Sequence, residues 1–140
     1  MTMAWDSLHE RQALPARVHA CSRLDITKYA AASGDFYPPH LDPDAPETRE
    51  LGRLIVPGRF KHACLGRLVA EWAGRHGFVR RLLCRYGEAD TVGRPLTCAG
   101  EVRRLVVDGE QRLVYLKIWV ANAEGRITTL GTATVVWTGP

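Results

Sequence analysis

The chain has 140 residues, of which 46% are hydrophobic and 24% charged, with a net charge of +4. This is enough apolar material for one buried core, so we expect a single domain over residues 1–140. No apolar run reaches the length of a membrane span, and the amino-terminal segment MTMAWDSLHERQ carries charge where an export signal needs an apolar region. We therefore expect a cytoplasmic protein that does not act at a membrane.

The cysteines and the basic residues exclude further classes. Cys21, Cys64, Cys84 and Cys98 lack the paired spacing of zinc sites and redox motifs, so we expect reduced, mostly buried thiols and no bound metal. Lysine and arginine are scattered along the chain instead of forming one stripe, and nucleic acid is not the expected partner. An anionic small ligand explains the positive charge equally well.

Short elements are predicted for the first third of the chain. Residues 16–24 have strand-like side chains, and Asp25 looks like the N-cap of a short helix that stops at Gly34. Further on, the polar residues 42–54 predict a loop that contains a short helix.

The segment SGDFYPPHLD, residues 33–42, carries two ionisable groups around two prolines. Proline fixes its own φ and pushes the preceding residue toward extended backbone, so a regular helix or a central strand is not expected here. We predict a stiff loop that holds Asp35 and His40 in a fixed relation. An ordinary turn, with Asp35 as a loop cap and His40 packed on the surface, fits the same residues.

A long buried helix is predicted from Arg59 to Gly74. Apolar residues recur there every four positions in two adjacent rows, with Pro57 and Gly58 at the start. The rows are Phe60, Cys64, Leu68 and Trp72, and Leu65, Val69 and Ala73.

The remainder of the chain alternates with a period of two residues. Four strands are predicted, over residues 80–86, 95–107, 112–122 and 126–137, with turns at Gly93, at Gly109 and at residues 122–125. The last three strands are close enough in sequence to form an antiparallel meander. Because the long helix can bury its apolar face only against that sheet, the pattern predicts an α+β fold in which the sheet wraps one central helix.

Three segments together resemble the MaoC-like family of (R)-specific enoyl-thioester hydratases and dehydratases, which has the hotdog fold. The loop at residues 33–42 matches the family pattern S-G-D-x-N-P-x-H-x-D except at the Asn and at the residue before His. Gly58, eighteen positions after His40, stands where the family has the glycine of a His-Gly-Met-Leu helix opening, and residues 125–137 resemble its closing strand. The resemblance spans about Ala16 to Trp137.

The resemblance implies the reversible addition of water to a 2-enoyl thioester. It places Asp35 and His40 on one bound water as acid and base, with the division of roles left open, and it assigns the Gly58 amide to the thioester oxygen as an oxyanion donor. No metal or organic cofactor is needed. The substrate carrier would be coenzyme A or acyl carrier protein, and hotdog proteins imply a homodimer or a higher oligomer, possibly heteromeric.

Candidate substrate contacts surround these three residues: Ser33, Tyr37, Arg59 and Phe60. Tyr37 replaces the family's small amide, so the phenol either takes over its hydrogen bond or reshapes the pocket. Arg59 and Phe60 replace an aliphatic pair, which suggests a bulky or polar acyl group. Arg53 and Lys61, together with Arg59, flank the helix opening as candidate phosphate contacts.

Two other functions are weighed against hydration. A hotdog thioesterase needs a carboxylate on or beside the central helix to activate water, and the acid within that helix, Glu71, lies far from its opening. A non-catalytic or partner-dependent subunit of a heteromer would have no need to keep both Asp35 and His40.

Overall fold

The computed structural model describes residues 3–140. Its helices are α1 (Arg23–Ser33), α2 (Pro38–Leu41), α3 (Pro46–Leu51) and α4 (Gly58–Ala73), and its strands are β1 (Arg17–His19), β2 (Gly77–Tyr86), β3 (Leu96–Asp108), β4 (Gln111–Ala121) and β5 (Ile127–Trp137). Short 3-10 turns lie at Trp5–Ser7 and Gly74–His76.

One curled antiparallel sheet surrounds the long helix. The strands are ordered β1-β3-β4-β5-β2, and every neighbouring pair is antiparallel. Helix α4 packs on β2, β3, β4 and β5, so its apolar side lies against the concave face of the sheet. This is the hotdog fold, and it confirms the predicted α+β architecture and the meander of the last three strands.

Helix α4 forms where the sequence predicts it, beginning after Pro57 and ending at Gly74. Its buried side chains recur at helical spacing and include Cys64, Leu65, Leu68, Val69 and Ala73, whereas Phe60 and Trp72 are only half-buried. Lys61 is also buried on this face, which the hydrophobic pattern did not indicate.

Helix α1 begins three residues earlier than predicted, because Asp25 is not its N-cap. Ser22 is the cap: its hydroxyl accepts the Asp25 N–H at 3.1 Å, and the Asp25 carboxylate accepts the Ser22 N–H at 2.9 Å. This reciprocal capping box satisfies two backbone donors that the helix itself cannot. The helix ends at Gly34, as predicted, where φ is +75°.

We expect Asp25→Ala to lower the free energy of unfolding by about 1 kcal/mol at neutral pH, because it removes the acceptor of the Ser22 N–H from the capping box. The hydrogen bonds with Ser22 lower the pKa of Asp25, so the folded chain binds fewer protons than the unfolded chain at mildly acid pH. The stabilisation is complete above the unfolded pKa and disappears as the pH falls through the folded pKa. Urea unfolding of both proteins across this acid range should therefore show curves that converge at low pH, whereas a constant difference would contradict the assignment.

The segment with two prolines differs from the predicted irregular loop. Pro38 and Pro39 occupy the first two positions of the single-turn helix α2, where a missing N–H costs little. His40 therefore lies on one helical turn, preceded by the extended residues of the loop. The sequence did not indicate this helical turn, and the stiffness of the segment stays a prediction.

Strand β1 is shorter than predicted and covers only Arg17–His19 of residues 16–24. All four cysteines are free thiols, three buried and Cys84 half-buried, and burial raises the pKa of Cys21 to about 12. Within residues 3–140, no helix combines the length and the apolar character needed to cross a bilayer.

Candidate functional site

His40 and the preceding Pro39 each make one hydrogen bond to Ile55 of a neighbouring segment. Its Nδ1 lies 2.8 Å from the carbonyl oxygen of Ile55, and the Ile55 N–H donates to the carbonyl of Pro39 at 2.9 Å. Because a carbonyl only accepts, Nδ1 must carry a proton, and in the neutral ring Nε2 is then the acceptor. The side chain is 10% exposed, which excludes the surface-packed histidine of the alternative interpretation.

Asp35 presents one carboxylate oxygen to this histidine. Its Oδ2 lies 3.8 Å from His40 Nε2, while its Oδ1 accepts the Tyr37 N–H at 3.4 Å. The separation is too long for a direct hydrogen bond, but one oxygen atom of a bound molecule can contact both groups. The loop-cap interpretation is thus correct for Oδ1, and Oδ2 remains available for chemistry.

Gly58 is the first residue of α4 and follows the N-cap Pro57. The first N–H groups of a helix have no intrahelical acceptor and lie at the positive end of its dipole. Among the hydrogen bonds of residues 3–140, none uses the Gly58 N–H, whereas Phe60 and Lys61 donate to Pro57. The amide therefore keeps the donor capacity that an oxyanion requires.

Tyr86, at the end of β2, covers one side of the helix opening. A Cβ atom at position 58 would lie 3.0–3.2 Å from three atoms of its ring, so only glycine fits there without displacing the ring. Partial burial raises the pKa of the Tyr86 phenol, which keeps it protonated as a donor. The sequence pattern does not identify Tyr86 as a site residue, although it ends the alternating run of β2.

Ser33 and Tyr37 both act within the loop. The Ser33 hydroxyl accepts the Asp35 N–H at 3.2 Å, and the Tyr37 ring packs edge-to-face on His40 at a centroid distance of 5.3 Å. The contribution of Tyr37 seen here is packing on the imidazole. Contact of either residue with substrate stays a prediction.

Arg59 and Phe60 lie on different sides of the first turn of α4. Arg59 is exposed, whereas Phe60 is half-buried and packs edge-to-face on Tyr29 at 5.4 Å. Arg53 is exposed, and its guanidinium donates to the carbonyl of Ala89 at 3.3 Å. Both arginines remain candidates for phosphate contact.

Lys61 cannot serve as a phosphate contact, and that prediction was wrong. Its side chain is 2% exposed, and Nζ lies 2.9 Å from Oδ2 of Asp90, which is also buried. Lys61 lies four positions before Leu65, in line with the buried row of Leu65, Val69 and Ala73. Asp90 could not be named from sequence because it lies 29 positions away.

The family model for the MaoC like domain matches residues 7–111 of the chain. The chain belongs to this family. A comparison with curated proteins gave no significant match.

Solved structures of MaoC-like and related proteins share the fold. R-hydratase PhaJ1 from Pseudomonas aeruginosa has a TM-score of 0.85 at 19% identity, covering 99% of this chain and 88% of its own. The (R)-hydratase from A. caviae involved in PHA biosynthesis has a TM-score of 0.83 at 23% identity, with coverages of 96% and 98%. The ChsH1-ChsH2 complex from Mycobacterium tuberculosis contains a chain with a TM-score of 0.79 at 24% identity, with coverages of 92% and 98%. At these identities the likeness concerns the fold.

Proposed function

We propose that this MaoC-like chain catalyses the reversible hydration of 2-enoyl thioesters to (R)-3-hydroxyacyl thioesters. The observation that carries the proposal is the 3.8 Å separation between Asp35 Oδ2 and His40 Nε2, with His40 Nδ1 already bonded to Ile55. Both facing atoms are acceptors when the carboxylate is ionised and the imidazole neutral. A water between them donates both hydrogens and directs a lone pair at the substrate.

The proton balance of the reaction needs no other reagent. In hydration, an O–H bond of water breaks as its oxygen bonds to the β-carbon, and Asp35 or His40 takes the proton. The protonated member of the pair then delivers a proton to the α-carbon. Dehydration reverses these steps and releases the 3-hydroxyl group as water.

Negative charge develops on the thioester oxygen as the α-carbon becomes enolate-like. The Gly58 N–H is the proposed donor to this oxygen, and a single donor of this kind is typically worth about a hundredfold or more in rate. Tyr86 packs against the same residue and forms one wall of the reaction site. These groups supply acid, base and oxyanion donor from the chain alone.

The proposed carrier is coenzyme A or acyl carrier protein, because each carries phosphate and the exposed Arg53 and Arg59 offer guanidinium groups to pair with it. Phe60, packed on Tyr29, is proposed to contact the acyl group. We also propose an oligomer, since β2 is paired on one edge only among the described residues. A second chain adding to that edge would extend the sheet.

A partner-dependent subunit is the second candidate, and the likeness to a chain from the ChsH1-ChsH2 complex favours keeping it. Thioester hydrolysis is less well supported. Glu71, near the far end of α4, pairs with Arg17 and Arg67, and Asp90 near the helix opening is occupied by Lys61.

One assay separates the candidates. Purified chain mixed with a short 2-enoyl-CoA should remove the enoyl absorbance without releasing free CoA. Release of free CoA would instead identify a thioesterase. An inert chain that becomes active only with a second hotdog subunit would establish the partner-dependent function.

A further inference from the structure

We infer that the buried Lys61–Asp90 ion pair is a positioning element that holds His40 in its Nδ1–H tautomer and fixes the helix opening relative to it. The inference rests on the proposed function of His40 and Gly58. It names Lys61 and Asp90 as residues that act on the reaction through others, without touching substrate.

The ion pair is buried, and hydrogen bonds join it to two further residues. Lys61 Nζ donates to Asp90 Oδ2 at 2.9 Å and to the carbonyl of Glu88 at 3.0 Å, and the Thr128 hydroxyl donates to the same Asp90 oxygen at 2.7 Å. The side chains of Lys61 and Asp90 are 2% and 3% exposed. Three elements therefore meet at one carboxylate: α4, the segment of residues 88–92, and β5.

A short ladder connects Asp90 to the segment that holds His40. The Val56 N–H donates to the Asp90 carbonyl at 2.8 Å, and the Val92 N–H donates to the Leu54 carbonyl at 3.0 Å. These bonds form an antiparallel bridge between Ile55 and Thr91. Ile55 is the residue whose carbonyl accepts from His40 Nδ1.

The same lysine belongs to the first turn of α4. Lys61 lies three residues after Gly58 and donates its own N–H to the Pro57 carbonyl at 3.3 Å. The ion pair therefore ties the proposed oxyanion donor and the carbonyl that orients His40 to a single rigid unit. A change in the pair moves both groups relative to Asp35, which lies on the other side of the imidazole.

An apolar cluster would fill this volume at less cost in desolvation, because buried ion pairs rarely add net stability over hydrophobic packing. An ion pair with directional bonds permits only one arrangement of the three elements, whereas apolar side chains permit several. Outer hydrogen-bond partners that fix the tautomer of a histidine act in this way at metal sites, where their loss costs about tenfold to a hundredfold.

The inference is tested by measuring the imidazole ¹⁵N signals of His40, which report its tautomer, in ¹⁵N-histidine-labelled protein. The His40 signals are those that disappear in His40→Gln. The main variant, Lys61→Met/Asp90→Leu/Thr128→Val, replaces the whole cluster by apolar groups of similar size, so that no buried charge is left alone. The matched control, Thr129→Val, changes the adjacent buried threonine of β5, whose hydroxyl has no hydrogen-bond partner among the described residues, and keeps the ion pair and its bond to Thr128. We expect the Nδ1–H tautomer in the wild type and the control, and a substantial Nε2–H population in the main variant.

Kinetics supply the second readout. The main variant should lose about tenfold or more in kcat, with KM within about threefold, because misplaced groups affect the reacting geometry more than binding. If circular dichroism shows that the main variant does not fold, the nearly isosteric Asp90→Asn protein takes its place. Its ¹⁵N spectrum should then show a smaller shift of His40 toward the Nε2–H tautomer.

Retention of the wild-type tautomer in a folded main variant overturns the inference, as does an Nε2–H tautomer in the wild type. Where the main variant is unfolded, an unchanged tautomer in Asp90→Asn overturns it equally. Absence of hydration by the wild type would instead contradict the proposed function. The His40 tautomers of the wild type and the variants would still test the role of the ion pair.

Discussion

Asp35→Asn is expected to lower kcat for hydration of a short 2-enoyl-CoA by about a thousandfold, within the range for loss of a general acid or base. The amide has the shape of the carboxylate and can still accept the Tyr37 N–H at Oδ1, so the loop should keep its conformation. What is lost is the anionic Oδ2 that lies 3.8 Å from His40 Nε2. The water between the two residues then has only one basic acceptor.

Asp44→Asn is the matched control for Asp35→Asn. Its side chain is 82% exposed and pairs with Arg49 at the surface, so removing its charge should leave kcat unchanged. If the Asp35→Asn and Asp44→Asn proteins were equally active with saturating substrate, Asp35 would have no catalytic role.

Gly58→Pro is expected to lower kcat about a hundredfold or more relative to Gly58→Ala, since only the proline variant lacks the N–H. Proline is well suited to the first position of a helix, and the preceding Pro57, with ψ of 134°, already has the extended backbone that proline requires of its neighbour. Both variants add a Cβ atom against the Tyr86 ring, which is partly exposed and has room to shift. The two variants therefore differ mainly at the backbone nitrogen, where proline has the ring carbon Cδ in place of the hydrogen.

The two Gly58 variants should be compared by thermal unfolding before their kinetics are measured. Similar Tm values, together with a large difference in kcat, would support the oxyanion assignment. If Gly58→Pro and Gly58→Ala turned over 2-enoyl-CoA equally fast, the amide would have no part in the reaction.

The long helix and the meander could be predicted because apolar residues recur in each element at the period of its own structure. The repeat of Cys64, Leu68 and their neighbours has a period that only a helix satisfies, and β3, β4 and β5 alternate with clear turns between them. The first residue of α1 was harder to predict from the sequence. Ser22 and Asp25 are both good caps, and only the reciprocal hydrogen bonds decide which residue begins the helix.

The candidate site could be predicted only in part from sequence. Asp35 and His40 lie on one short segment, so their proximity follows from the chain itself. Ile55, Tyr86 and Asp90 reach the site through long-range contacts, and no local pattern indicates such contacts. Lys61 was misassigned for the same reason, because a charged side chain is taken as exposed until its partner is known.

The open edge of β2 carries a row of exposed arginines, Arg80, Arg81 and Arg85, and a register shift interrupts its pairing with β5 between Val79 and Arg81. Positive charge and an irregular backbone discourage indiscriminate strand addition, as in many natural sheet edges. Two identical edges repel each other at low ionic strength, and added salt screens that repulsion over about 10 Å at 0.1 M. Self-association through this edge should therefore strengthen with salt, whereas docking of an acidic strand should weaken.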